Sequence, residues 1–242
     1  MRVAIFSAVI AAASVPAVAQ DNPLTRAFSV HAGGVKVAEG DIAVTRFNQA
    51  YAVAVSVEDA GIASFFVDAL YTAQVEGVVE ADGTLRPDLF SVKAWWDGDE
   101  QELDINYDGQ GPVLVDYRPE PDWLEGPLPA VEDQGGTVDP LTVFAHMLWP
   151  ASPEELCGRG FEVFSGSRRS SILPEAPLEP RDGVITCPVE YTRFEANDEG
   201  IMEPETMDFR IELRAREDGL WEADRLVGDT RFGSFVMKSR DG

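Results

Sequence analysis

The feature that most narrows what this chain can fold into is a period of two, interrupted at short intervals by Asp-Gly. Tyr51, Val53, Val55 and Val57 alternate with Ala50, Ala52, Ala54 and Ser56, and Tyr71, Ala73, Val75 and Val79 oppose Thr72, Gln74, Glu76 and Glu80. Met207, Phe209, Ile211 and Leu213 alternate as cleanly with Asp208, Arg210, Glu212 and Arg214. Successive side chains of a strand point to opposite faces, so such spacing gives each strand a core face and a second face. Asp82-Gly83, Asp97-Gly98, Asp108-Gly109 and Asp218-Gly219 fall between runs of this kind. Asp-Gly readily adopts the positive φ of a tight hairpin turn. Ala32-Gly33-Gly34 opens a first hairpin in the same way.

About a dozen short strands joined so closely leave no room for the crossover helices of a parallel sheet, so the pattern predicts a mainly β, antiparallel fold. Curling such a sheet into a half-barrel or β-roll limits its exposed edges. The alanine face of the Tyr51 strand is small and smooth, which predicts that both faces of that strand are covered. Two short helices are expected beside the sheet. Ile62, Phe65, Phe66 and Ala69 recur at helical spacing, predicting a buried helix over Ile62 to Leu70. Asp139-Pro140 reads as an N-cap followed by proline at the first helical position. Leu141, Phe144, Ala145 and Leu148 then form an apolar stripe that Pro150 ends, predicting a helix from Pro140 to Leu148. Between the sheet segments, Pro119 to Gly136 is rich in Pro, Glu, Asp and Gly and reads as a surface loop anchored by Trp123 and Leu124.

Met1 and Arg2 precede an apolar run from Val3 to Val15, Pro16 breaks it, and Ala17-Val18-Ala19 supplies small residues for signal peptidase. Residues 1–19 are therefore expected to be a cleaved signal peptide, and residues 20–242 a single β-rich periplasmic domain, with secretion as the alternative. No Cys follows the cleavage site, and no later stretch reaches the ~18 apolar residues of a membrane span, so stable membrane insertion is not expected. An exported protein meets oxidising conditions, and the chain's two cysteines, Cys157 and Cys187, are expected to pair. That bridge closes a loop of about 30 residues and contributes roughly 3 to 4 kcal/mol on chain-entropy arguments. Lys and Arg total 19 against 43 Asp and Glu, a net charge of −24, which repels nucleic acid and anionic membrane surfaces.

Candidate chemistry is sparse. Asp139 and His146 share one predicted helix, but a cap accounts for Asp139, and neither His31 nor a Gly-x-Ser-x-Gly nucleophile turn completes a triad. No catalytic residue is assigned and no enzyme is expected. Asp97-Gly98-Asp99-Glu100 and Asn197-Asp198-Glu199-Gly200 lack the full calcium loop and read as hairpin tips, so no metal or cofactor is expected. Arg168-Arg169, with Arg159 nearby, is a basic cluster in an acidic chain. Its guanidinium forks suit carboxylate or phosphate, so pairing within the chain to one of its 43 carboxylates is expected, with contact to an anionic headgroup through Arg168 and Arg169 as the alternative. Phe65, Phe66, Trp96, Phe144 and Leu148 are the candidate lining of an apolar groove. Trp95 and Trp96 are adjacent on a strand, so only one of them can face any single pocket.

Several pieces then follow in a characteristic order: Gly34-Val35-Lys36-Val37-Ala38-Glu39-Gly40, the Gly61 to Phe66 segment, Leu85-Arg86-Pro87, and Asp139-Pro140-Leu141-Thr142. Cys157, Phe164-Ser165-Gly166-Ser167-Arg168-Arg169, Cys187 and Tyr191 complete the series. From about Phe28 to Phe194 the chain resembles the exported bacterial family called domain of unknown function 3108. The resemblance implies an envelope protein with no assigned catalytic residues. It also implies an architecture similar to periplasmic lipoprotein carriers, whose curved sheet and helices enclose an apolar cavity. The expected function is a non-catalytic periplasmic protein that binds or carries an apolar or amphiphilic, lipid-like envelope ligand beneath its helices. The alternative is a scaffolding or interaction module that meets an envelope protein through a sheet edge or the Pro119 to Gly136 loop.

Overall fold

The computed structural model describes residues 23–61, 63–65, 69–120, 128–196, 202–230 and 233–240. The proposed leader, Phe66, Trp123, Leu124 and the Asn197 to Gly200 turn lie outside the described residues. Two antiparallel meanders form the fold. The first comprises β1 (Leu24–Ala32), β2 (Val35–Phe47), β3 (Ala50–Asp59), β4 (Ala69–Val79), β5 (Leu85–Trp96), β6 (Asp99–Tyr107) and β7 (Pro112–Arg118). The helices α1 (Pro140–Leu148) and α2 (Pro153–Cys157) follow. The second meander is β8 (Phe161–Phe164), β9 (Arg169–Pro174), β10 (Val184–Ala196), β11 (Met202–Ala215), β12 (Trp221–Thr230) and β13 (Gly233–Ser239). β13 pairs with β1, with Val30 opposite Met237, so all 13 strands make one sheet that ends at β7 and β8.

The sheet curls because three glycines each lie directly opposite an aromatic residue: Gly40 and Phe28, Gly77 and Tyr51, Gly228 and Phe209. A Cβ on Gly77 would stand 2.6 Å from the Tyr51 ring, and one on Gly228 would stand 2.1 Å from the Phe209 ring. Without side chains there, the strands bend inward and the rings cover the bare backbone. The ends of the sheet are joined by a strap rather than a ladder. A one-turn 3-10 helix at Val131–Gln134 lies against β7, the Gly136 amide donates to the Gln110 carbonyl at 2.6 Å, and Val138 pairs with Val163 of β8.

α1 lies inside the curl, touching β3, β4 and β5 on one side and β8 and β12 on the other. Leu141, Ala145 and Leu148 enter the main core with Val44, Val53, Val75, Phe90 and Ile105. α2 begins with a reciprocal capping box between Ser152 and Glu155 and ends at Cys157, which is bonded to Cys187 of β10 with the Cα atoms 5.6 Å apart. Leu156, Ile185, Ile211 and Leu213 bury that bridge.

Three expectations need correction. Of the expected Ile62 to Leu70 helix, the described residues show a 3-10 turn at Ala63–Phe65, while Ala69 and Leu70 belong to β4 and pair with Trp96 and Trp95; Ile62 and residues 66–68 lie outside the described residues. Leu70 also pairs with Glu58 of β3, and a residue laddered on both sides has its backbone groups satisfied without a helix. The smooth face of β3 is not covered: Ala54 and Ser56 face outward and are exposed. Among the described residues the second α-helix is instead α2, whose Ser152-Pro153-Glu154-Glu155 start carries the capping-box pattern.

Candidate functional site

α1 is fixed at its start by a buried polar chain. Asp139 accepts from the Thr142 amide at 3.0 Å and from the Thr142 hydroxyl at 2.5 Å. Thr142 Oγ1 lies 2.6 Å from Tyr51 Oη, so β3 holds the helix from the opposite wall. Burial pushes the Asp139 carboxyl up to about 6, while its bonds to Thr142 pull the other way. Burial, then the nearby Asp139 carboxylate, raises the hydroxyls of Tyr51 and Tyr107. With Leu141, Ala145 and Leu148 turned into the main core, the 3.6-residue repeat directs Pro140, Val143, Phe144 and Met147 towards the second meander.

A cavity of about 400 Å³ lies there. Its walls are those four α1 residues together with Val163, Ile172, Val189, Tyr191, Phe209, Ile211, Leu226 and Phe235. Tyr191 and Phe209 meet edge to face with ring centroids 5.7 Å apart, which stiffens the strand wall. Polar liners are Ser165, Arg168, Ser170 and Arg193. A further void of about 50 Å³ adjoins Phe144, Met147 and Leu148.

The other hollows differ in kind. A cleft of about 550 Å³ at one end of the roll is lined largely by the turns around Asp82, Gly109 and Gly136. A depression of about 410 Å³ on the outer face is floored by strand backbone and mostly small side chains, such as Ala43, Ala54 and Ser91. Of these hollows, the one beside α1 presents the large apolar and aromatic side chains expected of a site for an apolar ligand.

Among the expected groove residues, Phe144 lines the cavity, whereas Leu148 does not: it is buried in the main core and borders only the small void. Trp96 does not line the cavity: it stands at the end of β5 and is 62% exposed. A strand terminus has no neighbouring layer to bury a ring that faces outward. Phe65 is in the one-turn helix, and its side chain, like Phe66, lies outside the described residues. The arginine cluster divides three ways. Arg168 reaches the cavity. Arg169 pairs with Glu162 at 3.1 Å and donates to the Asp133 carbonyl. Arg159 donates to Thr84 Oγ1 at 2.8 Å and lies over the Phe161 ring.

Sequence reasoning passed over Val143, Met147, Phe209 and Arg193 as lining residues. Arg193 carries a legible signal, because it continues the inward phase of Ile185, Cys187, Val189 and Tyr191, where an arginine is out of place.

His146 is half-buried, meets Phe161 edge on and donates from Nε2 to the Glu155 carbonyl at 3.1 Å. Burial lowers its pKa. His31 lies on β1. Among the described residues no group of three or more His, Cys, Asp or Glu side chains is placed to hold a metal ion.

The family model described as "Protein of unknown function (DUF3108)" matches residues 27–173. No curated protein matches the chain. A crystal structure described as a β-barrel-like protein of domain of unknown function DUF1849, from Brucella abortus, is similar over 90% of this chain and 95% of its own. It has 14% identity and a TM-score of 0.42.

Proposed function

The chain belongs to the DUF3108 family of proteins of unknown function, and from that premise we propose that it is a periplasmic binding or carrier protein for an apolar or amphiphilic envelope ligand. The observation that carries this reading is the cavity of about 400 Å³ between α1 and the second meander, within the usual range of small-molecule sites of about 300–1,000 Å³. Its lining comes from six strands and one helix, so the space belongs to the fold rather than to a single loop. The reading assigns no catalytic role: Asp139 is engaged in capping α1, and His146 in its contacts with Glu155 and Phe161. A periplasmic location is supported by the leader pattern and by the Cys157–Cys187 bridge, since such bridges persist in oxidising compartments.

A second reading, an interaction module, is favoured by β7, which ends the sheet with Val113 53% and Leu114 54% exposed. Fluorescence titration with N-phenyl-1-naphthylamine, an uncharged apolar probe, separates the two. Saturable binding that Val143→Trp abolishes while the fold survives is the expected result. Native mass spectrometry of protein from a periplasmic extract should also reveal a lipid-sized adduct. Absence of both the adduct and saturable binding overturns the carrier reading, and in-cell cross-linking then tests the interaction reading.

A further inference from the structure

We infer that the cavity beside α1 selects single-chain amphiphiles with an anionic head, a carboxylate or a phosphate monoester, and seats that head at Arg168 and Arg193; the inference rests on the ligand-binding reading above. Acidic residues outnumber basic ones 43 to 19 in this chain, yet the charged side chains among the described cavity liners are both arginines.

The polar liners also gather at one end. β-register places Arg193 opposite Ser170, and two residues further along the same face Tyr191 stands opposite Ile172. Ser165 and Arg168 belong to the turn between β8 and β9, where the Ser165 amide donates to the Arg168 carbonyl at 3.1 Å. Ser165, Arg168, Ser170 and Arg193 thus form a polar mouth, and the wall beyond it is apolar, lined by Val143, Phe144 and Phe209. The cavity is itself amphiphilic, and its volume suits one acyl tail rather than several.

Arg193 is held in place by an ion pair with Glu205, its cross-strand partner on β11. That pairing keeps a partly buried guanidinium at the mouth, where reduced solvent screening strengthens its interaction with an oxyanion. The planar fork of arginine matches both carboxylate and phosphate oxygens.

The test is displacement of N-phenyl-1-naphthylamine near neutral pH by four ligands of equal chain length: dodecanoate, dodecyl phosphate, dodecanol and dodecyltrimethylammonium. The two anions are expected to bind roughly tenfold tighter than the alcohol, and the cation weakest. Comparing dodecanoate with dodecyl phosphate separates a fatty-acid source from a phosphate-headed one. Arg193→Gln and Arg168→Gln should each reduce the anion preference, read as the ratio of dodecanoate to dodecanol affinity. Arg193→Lys should retain part of it, and Glu205→Gln should increase it. Arg168 is exposed on a turn, so its variant decides alone if Arg193→Gln fails to fold. Equal affinity for all heads, or a preference unchanged in the arginine variants, overturns this inference while leaving apolar binding intact. Failure of the probe to bind overturns the parent reading as well.

Discussion

The hydroxyl of Tyr51 lies 2.6 Å from that of Thr142, joining positions 91 residues apart inside the roll. Both residues are buried, and Thr142 donates onward to Asp139. Tyr51→Phe keeps the ring over Gly77 and removes only the tether to α1. A loss of about 1 kcal/mol is expected. Urea unfolding should show a lower midpoint with an unchanged slope, because the surface exposed on unfolding stays the same. An unchanged midpoint would mean that α1 is held by packing alone.

Asp139 makes stability depend on pH in the sense opposite to a paired surface carboxylate. Its folded pKa is raised to about 6, against about 3.9 for an unfolded aspartate, so the folded state binds the proton more tightly. The resulting stabilisation is fully present below about pH 4 and is lost as pH rises through about 6. It amounts to at most about 3 kcal/mol. Asparagine is also a good N-cap, so Asp139→Asn should retain α1 and abolish this component. Glu39, Asp82 and Asp218, whose pKa values are lowered by hydrogen bonds, slope the other way in both proteins. The informative quantity is therefore the difference between the two unfolding curves across that pH window. A difference that does not vary with pH would show that Asp139 is not the titrating group.

Gly228→Ala places a methyl group 2.1 Å from the Phe209 ring. The ring or the strand must shift, at a cost of about 1–3 kcal/mol. Adding Phe209→Leu to Gly228→Ala should recover part of the loss, because the smaller side chain vacates that space. Thermal melts of the two single variants and the double variant measure the coupling. Simple additivity would mean that ring and glycine do not constrain one another.

Reducing Cys157–Cys187 should loosen α2 and β8 to β10 before the first meander. The bridge closes a loop worth roughly 3 to 4 kcal/mol in the chain-entropy account, and it anchors the smaller core around Leu156 and Ile211. Hydrogen exchange should show protection lost in that region and retained in β2 to β5 when reductant is added. Equal protection under both conditions would argue against a structural role for the bridge.

Much of the fold was readable because strand alternation and Asp-Gly turns are local signals. Asp82-Gly83, Asp97-Gly98, Asp108-Gly109 and Asp218-Gly219 all mark hairpin turns, with each glycine at positive φ. α1 was readable for a similar reason, since Asp139 and Pro140 supply its start within two residues. The Ile62 to Leu70 segment misled because helical spacing competes with pairing to strands distant in sequence, and Ala69 and Leu70 gain ladder partners that no local window contains. The site was less legible than the fold. Phe144 stood out on an apolar stripe, but the cavity depends on how α1 is rotated against six strands. Arg193 needed only its phase within β10 to be noticed.

The strap between β7 and β8 gives the roll the mechanics of a clasp. A barrel closed by a full ladder would have to break a row of cooperative bonds to widen. Here the seam between the two edge strands is stitched by one backbone hydrogen bond at Gly136 and two at Val138, with the Ser167 hydroxyl meeting Tyr117 from the β8–β9 turn. Parting that fastening would therefore break only a few backbone hydrogen bonds while every strand keeps its neighbours.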